Sequence, residues 1–158
     1  MKVNTVGKVF SVTNRAYLAG FIDGDGAIMA CIERHKEKRF KFRVRVILKI
    51  TQSQKKDVAW IRRLTGAGYI GKNRDTFEWV VKDQIDGRSI IRLILPYLHS
   101  KKTQAKIALK ILAINGNAYN DFYRKACLAD ALSAFNVRSK NRRKNFAVMI
   151  KKNTSRND

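Results

Sequence analysis

The stretch from Arg39 to Gln52 restricts the fold more than any other. Phe40, Phe42, Val44, Val46, Leu48 and Ile50 alternate there with Lys41, Arg43, Arg45, Lys49 and Thr51. A repeat of two residues belongs to an extended strand, because successive side chains point to opposite faces. One face is core and the other is a cationic stripe. The parent sheet therefore has helices on one side only, and its open side is left to water or to a ligand.

The flanking pattern supplies the rest of an α+β domain. Asn14 to Asp23 reads as a helix, with Leu18 and Ile22 at i,i+4 and Ser11, Thr13 or Asn14 as its cap. Ala27 to Arg34 is a strand that pairs with the long one through the turn His35 to Lys38. Val58, Ile61 and Leu64 mark a second helix, stopped by Gly66-Ala67-Gly68. Tyr69 to Lys72 and Thr76 to Lys82 form a second hairpin. A third helix, capped by Asp86, then carries Ile90, Ile91 and Ile94. Helices over Thr103 to Ile114 and Tyr119 to Phe135 follow. The order α-β-β-α-β-β-α with added C-terminal helices gives a first domain at 1–135 and a basic extension of it at 136–158.

Charge narrows the partner. The 158 residues include 34 Lys or Arg against 12 Asp or Glu, a net +22, and folding such a chain costs self-repulsion unless a polyanion is met in use. No run approaches the ~20 apolar residues of a membrane span, since Arg92 breaks the best one, and no apolar leader follows Lys2 and Lys8. A soluble intracellular protein is expected. Cys31 and Cys127 read as reduced thiols, so neither a zinc site nor a disulfide scaffold has support, and no small-molecule cofactor is expected.

The densest chemistry lies in Leu18-Ala19-Gly20-Phe21-Ile22-Asp23-Gly24-Asp25-Gly26. Gly20 and Gly24, four apart, make a smooth stripe on which a second helix can lie close. Two carboxylates stand at the helix C-terminus, where the macrodipole disfavours them unless a cation arrives. Backbone carbonyls beside them suit a hard metal ion such as Mg²⁺. Taken alone, Asp23-Gly24-Asp25-Gly26 reads more readily as a polar turn. An EF-hand is excluded, because Ala27 and Ile28 fall where oxygen ligands are required.

The nine-residue segment resembles the signature of the LAGLIDADG homing endonucleases, here spelled LAGFIDGDG. The element order and the strings Leu48-Lys49-Ile50-Thr51-Gln52 and Ser100-Lys101-Lys102-Thr103-Gln104-Ala105 extend the resemblance over roughly residues 11 to 135. It implies a saddle-shaped antiparallel sheet and, with one motif in the chain, a homodimer joined at Gly20 and Gly24. It implies further an intron-encoded enzyme that cuts both strands of a long pseudo-palindromic DNA site with Mg²⁺ or Mn²⁺, leaving 3′ overhangs. Asp25 then matches the metal-ligating acid, the Gly24 carbonyl a backbone ligand, and Asp23 a structural residue. Gln52 matches a residue that orders water. Lys101 matches a lysine near the scissile phosphates, with Lys102 the alternative, and Lys55 or Lys56 matches a further active-site cation.

Double-stranded DNA is expected along the open strand face. Lys41, Arg43, Arg45 and Lys49 have the reach for guanine edges and phosphates, with Met29, Cys31 and Glu33 beside them. From the second hairpin Gly71, Asn73, Thr76, Glu78 and Val80 face the DNA while Phe77, Trp79 and Val81 pack inward. Glu33 and Glu78 can accept from cytosine N4. Arg138, Lys140, Arg142, Arg143 and Lys144 grip phosphates. The competing reading is an RNA-binding intron maturase or another non-enzymatic nucleic-acid-binding protein; a membrane-surface binder is disfavoured because the cations lie on a strand.

Overall fold

The structure is a computed structural model that describes residues 11–136 together with Ala147. Arg138, Lys140, Arg142 and the rest of the basic extension, Asn136 and Ala147 excepted, lie outside the described residues.

The elements are α1 (Val12–Asp25), β1 (Gly26–Arg34), β2 (Phe42–Gln52), α2 (Lys55–Thr65), β3 (Tyr69–Asn73), β4 (Thr76–Val81), α3 (Gln84–Ile94), a 3₁₀ turn (Leu95–Tyr97), α4 (Lys102–Ala113) and α5 (Tyr119–Asn136). Their order is the expected one. The strands form one antiparallel sheet ordered β1-β2-β4-β3.

The inward side of β2 behaves as the alternation requires. Val46, Leu48 and Ile50 join Leu18, Ile22, Trp79, Ile90 and Ile94 in the main core. Phe40 and Phe42 pack instead against a second cluster of Phe122, Ala126 and Ala147, where the Phe40 and Phe122 rings stack at 5.6 Å, and Val44 touches both clusters.

Three boundaries differ from the sequence reading, each for a local reason. The first helix is longer: Ser11 Oγ accepts from Asn14 N at 3.2 Å, and the helix runs on through Gly24 to Asp25. Gly26 ends it where a Cβ would come within 2.6 Å of Ile22 Cα, so only glycine lets β1 depart this close to the helix. The long strand begins at Phe42, not Arg39. Lys41 takes φ 60°, and its amide and carbonyl close a turn with Lys38 O and His35 N, each at 2.8 Å. The cap of α3 is Asp83, whose Oδ1 accepts from Ile85 N and Asp86 N at 2.9 and 3.0 Å; Asp86 falls inside the helix.

Among the described residues no helix is long and apolar enough to cross a membrane.

Candidate active site and nucleic-acid interface

Because β1 begins as α1 ends, and Gly26 pairs with Ile50, the far end of β2 reaches the helix C-terminus. Gln52 Nε2 consequently donates to Asp25 Oδ2 at 2.9 Å. Lys101 arrives from the other side, its Nζ donating to the Asp23 carbonyl at 2.6 Å. Asp25, Gln52 and Lys101, separated by up to 76 positions in sequence, thus converge on one helix end. Lys102 is the first residue of α4 and is exposed. Lys55 and Lys56 open α2 and are exposed as well.

Asp25 is exposed and, among the described residues, has no cation within 4.0 Å despite the chain's large positive excess. It stands at the negative end of α1, beside last-turn carbonyls, including that of Gly24, that no further helical N–H meets. Such a set of hard oxygens fits a divalent cation. The described residues contain no group of three or more His, Cys, Asp or Glu side chains able to hold a metal, so one chain offers a single carboxylate to it. Asp23 is engaged elsewhere, its Oδ2 accepting from His99 N at 2.7 Å and its Oδ1 from Lys101 N at 2.9 Å.

Gly20 and Gly24 face open space, with no described atom within 4 Å of where a Cβ would stand. The same helix exposes Val12 (62%) and Tyr17 (56%), the latter edge-on to Phe21 and Trp60. An outward face this apolar and this smooth is unusual for a lone helix at a surface.

On the open side of the sheet the ladder pairs Glu33 with Arg43, Cys31 with Arg45, Met29 with Ile47, and Thr51 with Glu78. Glu33 Oε2 receives Arg43 Nε at 2.8 Å and lies 3.6 Å from Arg45 Nε. Glu78 is paired with Lys49 and accepts from Asn73 Nδ2 at 3.0 Å. Both acids expected to read cytosine are therefore already occupied by the chain's own donors. Burial would raise the Glu78 carboxyl, but the hydrogen bonds from Lys49 and Asn73 outweigh it and hold it below the usual carboxylate range. Burial pushes the Cys31 thiol up, and Glu33 adds to this against Lys82 and Arg45, so Cys31 presents a neutral, weakly polar surface.

Two residues of the expected DNA face sit differently from the strand reading. Lys41 has left the strand and donates its Nζ to Lys36 O at 3.0 Å. Val80 does face the open side, but it is only 5% exposed, since its ladder partners Lys49 and Tyr69 are long side chains on the same face. Ile47 is similarly covered at 7%. Sequence reasoning missed a cationic groove of about 720 Å³ at the opposite end of β2, lined by Lys38, Arg39, Arg43, Arg45, Lys82 and Lys125. Its members come from four separate stretches of chain, so no local pattern announces it.

Comparison with known proteins agrees with this geometry. A family model described as LAGLIDADG endonuclease matches residues 18–114. DNA endonuclease I-CvuI from Chlorella vulgaris is 35% identical over 100 residues, which is 61% of this chain and 62% of that protein. DNA endonuclease I-CreI from Chlamydomonas reinhardtii is 29% identical over 100 residues, 61% of this chain and 60% of that one. The chain thus spans about three fifths of the length of the curated relatives it matches. The crystal structure of I-CvuI with the I-CreI target and magnesium, its DNA not cleaved, superposes with a TM-score of 0.83 at 29% identity. That match covers 91% of this chain and 94% of the other. The same relative has also been crystallised on its own target in the presence of calcium.

Proposed function

This chain belongs to the LAGLIDADG endonuclease family, and from that premise we propose that it is a site-specific, double-strand DNA endonuclease working as a homodimer with Mg²⁺ or Mn²⁺. The observation that carries this reading is the convergence of Asp25, Gln52 and Lys101 at the end of α1, between the open sheet face and the glycine stripe. Two copies joined along Gly20 and Gly24 would set two such helix ends side by side, and a two-fold assembly reads a pseudo-palindromic site.

Each group has a task that follows from its chemistry. Asp25, with the Gly24 carbonyl beside it, would hold the metal, which when bound supplies Lewis-acid activation of water and charge relief at the leaving 3′ oxygen. Gln52 donates one amide hydrogen to Asp25, which leaves its carbonyl oxygen to accept from a water and orient it toward phosphorus. The Lys101 ammonium opposes negative charge building on the phosphate. Arg43, Arg45 and Lys49 on the sheet, with Met29 and Cys31 between them, would meet base edges in the major groove. Lys55 and Lys56 would meet backbone. Residues 1–135 are read as the endonuclease domain, and 136–158 as its basic extension with Arg138, Lys140 and Arg142 on phosphates. The bound assembly would leave 3′ overhangs.

Selection of cleaved molecules from a randomised DNA library with Mg²⁺ tests the reading. Inverted-repeat half-sites and a loss on the order of 10³-fold or more in Asp25→Asn, with binding retained, are expected. A library left uncut on both strands, or an Asp25→Asn protein as active as the parent, rejects it.

A further inference from the structure

Asp23 and Asp25 lie in the same helical turn, yet only Asp25 is offered outward. Both oxygens of Asp23 are taken by backbone N–H groups of a segment more than seventy residues away, those of His99 and Lys101. The recipient is the turn that leads into α4. Helix α4 has Lys101 at its N-cap, a residue with no acceptor to give, makes no side-chain cap bond, and has no acid in its first turn. Ser, Thr, Asp or Asn would ordinarily fill that role. Here α1 lends its acceptor one step earlier, to the N–H groups of His99 and Lys101 in the turn that leads into α4, and not to the first-turn N–H groups that a cap would meet.

The loan also resolves the electrostatics. A carboxylate at the negative end of α1 is disfavoured. Two charge-assisted bonds and the positive end of α4 compensate it. The same residue holds the other end of the lysine, because its main-chain carbonyl accepts Lys101 Nζ. A side chain with four rotatable bonds is thereby pinned at its backbone and at its tip.

We propose that Asp23 is the positioning residue for Lys101, fixing the ammonium at the C-terminal end of α1, the helix end that carries Asp25, before DNA arrives. The catalytic part of this assignment rests on the endonuclease reading; the geometric part does not. Asp23→Asn is the informative variant, because it keeps the shape while turning one acceptor oxygen into an NH₂ that faces an N–H donor.

The test has two arms in the full-length protein. In the first, without DNA, a small amine-reactive reagent labels Lys101 and Lys102 competitively. Lys101 is expected to label several-fold more slowly than Lys102 in the parent, and the gap to close in Asp23→Asn while the melting profile stays cooperative. In the second, single-turnover cleavage with Mg²⁺ is expected to slow about 10- to 100-fold in Asp23→Asn, with DNA affinity within twofold of the parent. In a Lys101→Met background the same substitution should cost nothing further, which a purely structural role would not produce.

Labelling of Lys101 unchanged by Asp23→Asn overturns the proposal, as does an equal rate loss in both backgrounds. A parent that cuts no DNA but labels as expected would sink the endonuclease reading and leave the Asp23 contact established.

Discussion

The two faces of β2 are built from residues one position apart and obey different physics. Inward, Leu48 and Ile50 are fully buried within the apolar core, so what they contribute scales with volume and area. Outward, Arg43, Arg45 and Lys49 are about one fifth to one third exposed and are held by Glu33 and Glu78. Partly exposed ion pairs of this sort add little to stability. Their effect is on geometry, for they hold long cationic side chains in fixed positions on the face where we propose that DNA binds. The inner face makes the fold, and the outer face is prepared for a partner at almost no cost to it.

Substituting one residue on each face of the sheet, inward on β4 and outward on β2, separates these roles. The largest effect belongs to Trp79→Ala. Its indole is fully buried and Nε1 donates to Ala67 O at 2.9 Å, so truncation empties the core and removes the shorter of two bonds to that carbonyl, Thr65 Oγ1 being the other donor at 3.3 Å. A loss of about 3–5 kcal/mol in urea unfolding is expected, with DNA sequence preference unchanged in the folded fraction. Arg45→Ala is the outward counterpart. Stability should stay within about 0.5 kcal/mol while affinity for the selected DNA site falls by about 1–3 kcal/mol, read by binding titration without cleavage. A mutant of either kind that lost stability and recognition together would break the division.

How much of this was written locally follows the same line. The inward alternation, the two hairpins and the order of elements along the chain are short-range patterns, and the structure reproduces them. The motif also brought Asp25, Gln52 and Lys101 to one place, although nothing in their local spacing does so. Lys41 escaped because the alternation Phe40-Lys41-Phe42 runs on unbroken where the backbone has already turned, with no glycine to mark the positive φ. Asp83 and Asp86 are both plausible caps three residues apart, and tertiary packing chose between them. Val80 was placed on the correct side, but its cover comes from Lys49 and Tyr69, which are neighbours only across the ladder. The partnership of Asp23 with α4 spans 76 and 78 positions, and no periodicity carries information over that distance.

The smallest expected effect tests the outward face most directly. The Glu78 carboxyl is held below its ordinary value by Lys49 and Asn73 against the opposing pull of burial, so the folded state binds fewer protons than the unfolded one in acid. Its contribution is complete above the unfolded carboxylate pKa of ~4.3 and is lost as the pH falls through the depressed folded value. Glu78→Gln should therefore flatten the acid side of the stability profile slightly and leave neutral stability nearly as it was. The same change releases Lys49 from its partner. One more free cation on the DNA-facing side steepens the dependence of binding on salt by about 0.9 in log–log slope, and binding to random DNA tightens at low salt. If the acid limb flattens but the salt slope does not move, Lys49 is held by the sheet itself and not by Glu78, and the outward pairs would be passive neighbours that do not set the reach of the cations.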